Sequence, residues 1–334
     1  MRRGRQRAGL PAVALLVTLA LAVPAVPQAP QQPPPPANPQ KERTIRVGVD
    51  LVNVFATVRD GKRRLLADLT KDDFRILEDG AEQKIEYFSR ETSLPINLGI
   101  LMDTSGSMDR IIEPEKDAAS RFLRRVLQAK DLAFIINFDV DVDMLSDFSA
   151  DQAHLERAIR RAKINAPGSP INPGPFPTSQ RGGTRLYDAI YLACTEKLSG
   201  EVGRKAIVVL TDMVDTGSRV RMEEALEAAQ RSDTVVHVLH LVDQGMYGFG
   251  GGGGEGIAKK FAEETGGRAI FIDSEKKLEE AFDQISEELR SQYTLGYYPS
   301  NNSHEGKFRK LKVETTRRDT KILARKGYYE SRGQ

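Results

Sequence analysis

Asp103, Ser105 and Ser107 occupy alternate positions in one short stretch, Asp103-Thr104-Ser105-Gly106-Ser107. Their oxygens are hard, closely spaced and mostly neutral, which suits a divalent cation such as Mg²⁺. A pentapeptide of this kind arises often by chance. It gains weight here from two partners downstream. One is Gly182-Gly183-Thr184, which opens a helical pattern; the other is Thr211-Asp212, which ends the apolar run 206–210. The pentapeptide follows an apolar run of its own, 96–102, which reads as a buried β-strand. The oxygens therefore fall at the C-terminal end of a strand, where open α/β sheets bind ligands.

Other residue types carry less. His154, His237, His240 and His304 form no metal spacing, and His237 and His240 point to opposite faces of one strand. No Ser/His/Asp set assembles around Ser105 or Ser107. Asp139, Asp141 and Asp143 alternate on a strand and read as one solvated face, since a calcium loop needs a 12-residue ligand pattern. The glycine-rich stretch 248–254 lacks the Gly-Lys-Ser/Thr ending of a phosphate loop and reads as a surface loop. Cys194, the single cysteine, shares a helical stripe with Tyr187, Ile190 and Tyr191 and is expected to be a buried, inert thiol.

The elements that must position Asp103, Thr184 and Asp212 are legible in the hydrophobic pattern. Apolar runs at 96–102, 132–136, 206–210, 235–241 and 269–272 alternate with amphipathic helices. Ala119, Phe122, Leu123 and Val126 mark one such helix, and Leu278, Ala281, Phe282, Ile285 and Leu289 another. Nearly continuous apolar strands separated by helices predict an α/β fold: a doubly wound, mainly parallel sheet covered on both faces. The flanks read differently. Residues 43–92 and 291–330 alternate as half-wet strands, and Asp79-Gly80 predicts a tight hairpin turn between 74–78 and 84–88. Each flank is too small to stand alone. The expectation is one small β domain built from both, burying Val47, Val49, Phe74, Ile76 and Ile85 against Tyr297, Leu311, Val313 and Leu323.

The N-terminus has a basic start and an apolar run, 10–23, shorter than the ~20 residues a membrane span needs. Residues 1–25 read as a secretory signal, with a retained signal-anchor as the alternative, and 26–42 as a proline-rich spacer. No second stretch is apolar enough to span a bilayer. The formal charge is +2, and about −2 without Arg2, Arg3, Arg5 and Arg7, so no general affinity for nucleic acid is implied. The long loops 165–180 and 245–256 are candidates for partner contact.

The three oxygen-bearing pieces, in this order, resemble the von Willebrand factor type A domain with its metal-ion-dependent adhesion site. The resemblance runs from about Leu94 to Arg290, giving a domain at 93–290, and is closest to bacterial extracytoplasmic members with flanking β regions. It implies that Ser105, Ser107 and Thr184 ligate Mg²⁺ (or Mn²⁺ or Ca²⁺) directly, while Asp103 and Asp212 hold bound water. It also implies a non-enzymatic, exported adhesion or recognition module whose protein partner presents Asp or Glu to the ion. One departure is Met213, where many members have glycine; it is expected to reshape the rim without removing a ligand. The alternatives are a metal-assisted hydrolase, for which Asp215 is the nominated base, and a structural scaffold of the cell envelope.

Overall fold

Alternating apolar residues need two covers when both sides of a strand are oily, and the chain supplies them with helices on each face of a central sheet. The structure, a computed structural model, describes residues 51–90, 94–164, 183–241, 253–301 and 303–330. The expected signal and spacer, the alternation before Leu51, Gly182, the loop 165–180 and residues 245–252 lie outside them. The described residues fall within one compact unit, Gly48–Gln334.

In chain order the strands and helices are β1 (Val52–Asp60), β2 (Phe74–Glu78), β3 (Ala81–Gln83), β4 (Ile85–Ser89), β5 (Ile96–Asp103), α1 (Ile112–Val126), β6 (Leu132–Phe138), β7 (Val142–Ser149) and α2 (Gln152–Arg161). There follow α3 (Leu186–Leu192), continued by a π-helical turn Ala193–Leu198, then β8 (Arg204–Thr211), α4 (Met222–Arg231), β9 (Thr234–Leu241), α5 (Gly253–Thr265), β10 (Ala269–Ile272) and α6 (Glu275–Arg290). The chain closes with β11 (Tyr293–Tyr297), β12 (Phe308–Thr315), β13 (Thr320–Ala324) and β14 (Gly327–Tyr329).

The central sheet has six strands in the order β10-β9-β8-β5-β6-β7, parallel except for the antiparallel edge β7. On one face Leu98, Ile100, Met102, Val208 and Leu239 pack under α1, α2 and α6. On the other, Leu101, Phe134, Ile136, Val209 and Val238 pack under α3, α4 and α5. The doubly wound, mainly parallel architecture expected from the sequence is the one observed. No helix among the described residues is long and apolar enough to cross a membrane.

The flanking strands build two antiparallel sheets. β13-β1-β11-β4 joins both flanks through β1–β11 and β1–β13, and β14-β12-β2-β3 joins them through β12–β2. Val54, Phe74, Ile76, Ile85, Tyr297 and Leu311 share their core. Two details differ from the sequence reading. The Asp79-Gly80 turn, with φ of 48° and 88°, pairs β2 with β3 only. Beyond Lys84 the chain changes sheets, and β4 pairs with β11, which turns Ile85 inward. Ile322 and Ala324, rather than Leu323, face this core, because Leu323 pairs with Thr57 on the opposite phase of the strand.

Candidate metal centre

β5 ends at Asp103, which is fully buried. Its Oδ1 accepts the backbone N–H of Ser105 at 2.9 Å, and its Oδ2 accepts the Thr211 hydroxyl at 2.7 Å. The second bond crosses from β5 to β8, whose last residue is Thr211, and so fixes Asp212 beside Asp103. Burial pushes the Asp103 carboxyl up to about 7; hydrogen bonds from Ser105 and Thr211 pull the other way, and the charge of Asp212 raises it further. Ser105 precedes a short 3₁₀ turn, Gly106–Met108, but its side chain makes no capping bond. Instead its Oγ lies 3.0 Å from that of Ser107.

Thr184 lies in the turn just before α3. Its N–H donates to Thr216 Oγ1 at 3.0 Å, and its carbonyl accepts from the N–H groups of Thr216 and Gly217, both at 3.1 Å. A Cβ on Gly183 would stand 3.2 Å from the Cα of Gly217, so two glycines let these loops cross back to back. The first turn of α3 is capped from the same loop: Asp215 Oδ2 accepts Tyr187 N at 3.1 Å, and Ser218 Oγ accepts Asp188 N at 3.0 Å. Asp188 returns the contact by accepting the N–H groups of Arg219 and Val220. The helix thus takes its caps from Asp215 and Ser218, not from Thr184.

Asp212 follows β8, and its Oδ1 accepts Val214 N at 3.0 Å. Its carbonyl oxygen lies 3.0 Å from Nε2 of His240. A Cβ on Gly254, in the first turn of α5, would stand 2.8 Å from the same carbonyl oxygen. A glycine is required there for the helix to approach. Met213 sits at φ 61°, in the left-handed region that glycine adopts without strain. Its side chain is buried in the core under α5.

A residue beside the candidate site that the sequence reading misplaced is Asp139. Alternation puts it on a solvated face with Asp141 and Asp143; in the structure it is buried, in the turn after β6. Its Oδ2 accepts the Thr104 hydroxyl at 3.2 Å, its Oδ1 accepts Asp141 N at 3.1 Å, and its carbonyl accepts Arg185 N at 2.8 Å. Thr104 N also donates to Phe138 O at 2.9 Å. One turn therefore holds the Ser105 loop and the Thr184 loop together. The signal available in the sequence was position: Asp139 directly follows a buried strand that neighbours β5, whereas strand alternation applies only within the strand.

The donor set fits a hard divalent cation. Ligands at 2.0–2.1 Å in octahedral array stand about 2.9 Å apart, and the two seryl oxygens are 3.0 Å apart. Asp103 is a buried carboxylate whose hydrogen-bond donors, the Ser105 amide and the Thr211 hydroxyl, are neutral. Among the described residues no group of three or more His, Cys, Asp or Glu side chains has metal-holding geometry, so a site here depends on hydroxyls. His237 is buried and held neutral, its pKa lowered by burial to about 4. Cys194 is buried, its thiol pushed up by burial to about 12.

Residues 98–215 match the family model of the von Willebrand factor type A domain. Domains of this family are mostly non-enzymatic modules of protein–protein interaction, commonly with a divalent metal. None of the curated proteins matches. Among solved structures, the conserved hypothetical protein BatB from Bacteroides thetaiotaomicron is 20% identical, covering 59% of this chain and 100% of its own, with a TM-score of 0.44. The vWF domain of the type V pili tip protein Mfa5 from Porphyromonas gingivalis is 13% identical over 58% of this chain and 94% of that one, TM-score 0.44. Proximal thread matrix protein 1 from the mussel byssus, with a zinc-occupied MIDAS motif, is 13% identical over 62% of this chain and 48% of that one, TM-score 0.48. The chain thus spans about half the length of the mussel protein.

Proposed function

We propose that the C-terminal edge of the central sheet binds Mg²⁺ or a like ion through Ser105, Ser107 and Thr184, with Asp103 and Asp212 set one layer behind. The observation that carries this reading is the 3.0 Å separation of the Ser105 and Ser107 oxygens, on a loop fastened to a buried Asp103. With the carboxylates set back, the ion when bound keeps an electrophilic open position for an Asp or Glu of a protein partner. Recognition, not hydrolysis, is the function proposed. Asp215, the nominated base, accepts from Tyr187 N and from the Ser218 hydroxyl and amide, so its oxygens are engaged in capping.

A ligand that binds only the folded state raises the melting temperature, by about 2.7 kcal/mol of stability at a hundredfold excess over Kd. Calorimetry with millimolar Mg²⁺ against chelator is expected to show that shift in the wild type and none in Thr184→Ala or Asp103→Ala. A wild type indifferent to Mg²⁺ and Mn²⁺ would defeat the metal reading. Export to the envelope or beyond is proposed from residues 2–23; protein recovered from an envelope fraction should lack about the first 25 residues by intact mass, and full-length mass in the membrane would mean an anchor.

A further inference from the structure

β8 ends at Thr211, opposite His240, while its neighbour β9 runs on to Leu241. The ladder between them is over by Asp212. The Asp212 carbonyl therefore meets a side chain instead of a strand, Nε2 of His240 at 3.0 Å. A carbonyl only accepts, so the ring proton is assigned to Nε2. Nδ1 is buried and has no hydrogen-bond partner. The ring is 5% exposed and stands edge-on to Phe271, with centroids 5.2 Å apart. Everything polar that this imidazole does is directed at one backbone oxygen.

What that bond holds is a strained turn. Met213 sits at φ 61°, a conformation costly for a residue with a Cβ. Such residues persist only where their surroundings over-determine them. Three hydrogen bonds act here. Met213 N donates to Thr211 Oγ1 at 3.0 Å, Val214 N donates to Asp212 Oδ1 at 3.0 Å, and His240 donates to the Asp212 carbonyl. The first two are made by side chains of the turn itself or of the strand leading into it. Of the three, the His240 bond alone reaches the turn from another strand. The start of α5 closes over it: a Cβ on Gly254 would stand 2.9 Å from the Cβ of Met213 and 3.0 Å from His240 Nε2. Because Val214 N holds Oδ1, the direction of the Asp212 carboxylate follows the turn.

We propose that His240 is a positioning residue of this edge. By holding the Asp212 carbonyl it keeps Met213 left-handed and aims the Asp212 carboxylate before any ion arrives. The positioning belongs to the metal-free protein; its effect on ion affinity rests on the metal binding proposed at Ser105, Ser107 and Thr184.

The test compares the full chain with two variants. His240→Leu removes the donor, and His240→Gln returns a side-chain N–H at about the reach of Nε2. In chelator, amide hydrogen exchange at Val214, followed by NMR, is expected to run roughly fivefold or more faster in His240→Leu, the scale of one lost hydrogen bond. Amides elsewhere in β9 should keep their wild-type rates, and His240→Gln should restore Val214. Calorimetric titration with Mg²⁺ should show affinity weakened roughly tenfold or more in His240→Leu and largely recovered in His240→Gln. An unmoved Val214 amide, acceleration spread evenly through β9, no recovery in His240→Gln, or a His240→Leu protein that binds Mg²⁺ as well as a binding wild type would each overturn the proposal. Should His240→Leu fail to fold, ¹⁵N NMR of the wild-type imidazole in chelator decides: a proton on Nε2 supports the bond, and one on Nδ1 refutes it. A wild type that ignores Mg²⁺ defeats the metal reading alone, since exchange at Val214 still judges His240.

Discussion

The two ends of the central sheet treat buried charge in opposite ways. At the N-terminal end every buried acid meets a cation. Asp131, just before β6, accepts from Arg290 and from the amides of Ile96 and Gln128. Glu288, near the end of α6, is almost fully buried between Arg59 of β1 and Arg268, and so ties the β domain to the sheet. Even Arg204, whose pKa burial and then Arg290 lower to about 10, stays charged and donates to the carbonyls of Leu289 and Leu94. At the C-terminal end, Asp103 is met by neutral donors and Glu115 by none. Charge is finished where the domain is held together and left without a cation at the edge proposed to bind metal. A buried pair is weak support for net stability, but breaking one is costly; leaving acids unpaired is a standing cost that a binding surface accepts.

The largest expected effect comes from breaking the finished end. Glu288→Ala leaves Arg59 and Arg268 facing an uncompensated, mostly buried gap, and a loss of about 3 kcal/mol is expected. Urea unfolding in chelator measures it. The Mg²⁺ shift should remain once the lower baseline is subtracted, because the change lies at the far end of the strands. A Glu288→Ala protein as stable as wild type would show that the two ends do not differ in the way described.

How far this contrast could be read from sequence depends on which end is considered. The sheet, its two helical faces and the joining of the flanks follow from apolar runs such as 96–102 and 206–210, where strand and helix periods are unambiguous. Asp103, Ser105, Ser107, Thr184 and Asp212, the proposed metal residues, stand out in the sequence because each sits where a strand or helix begins or ends. Asp139 and Glu115 were not. Alternation placed Asp139 on a wet face although the strand had already ended at Phe138. Glu115 reads as an ordinary acidic residue in a helix first turn, where it suits the helix dipole; only packing shows that α6 and β10 close over it. The Lys84 change of sheet was hidden for a similar reason, since a hairpin turn fixes the register beside it and nothing farther along.

The next effect sharpens the open end. Asp139 touches no proposed metal-bearing side chain, yet it fastens Thr104 on one side and Arg185 on the other. Outer partners of metal ligands typically govern 10- to 100-fold of affinity, so Asp139→Ala is expected to weaken Mg²⁺ by that order. Asp139→Asn keeps an acceptor oxygen for Asp141 N and sets an amide N–H, which can donate to Thr104 Oγ1, where Oδ2 stood, and should recover most of it. Melting in chelator should move little for either. If Asp139→Ala destabilises the metal-free protein and leaves the Mg²⁺ affinity intact, the residue serves the turn alone.

The smallest expected effect separates the ends by pH. Burial raises Asp131, but hydrogen bonds from Arg290 and two amides outweigh it, and the folded pKa lies below the usual 3.8. Its contribution is present above that value and is lost as pH falls through the folded pKa. Glu115 has the opposite sign. Its folded pKa is raised above the usual 4.5 by burial and by Asp103. Its protonated form is therefore favoured by folding, and that contribution, complete below 4.5, is lost as pH rises through the folded value. Removing the carboxyl should then stabilise the protein, and more so at higher pH. In chelator, Glu115→Met is expected to melt above wild type by the equivalent of about 1 kcal/mol near neutrality, in keeping with the cost of an unsatisfied buried group. The gap should narrow as pH falls through the ordinary value of 4.5, below which the carboxyl is protonated in both states. A gap that stays constant with pH would mean that Glu115 keeps its charge in the folded protein through a partner of its own. In that case the contrast between the two ends would rest on Asp103 alone.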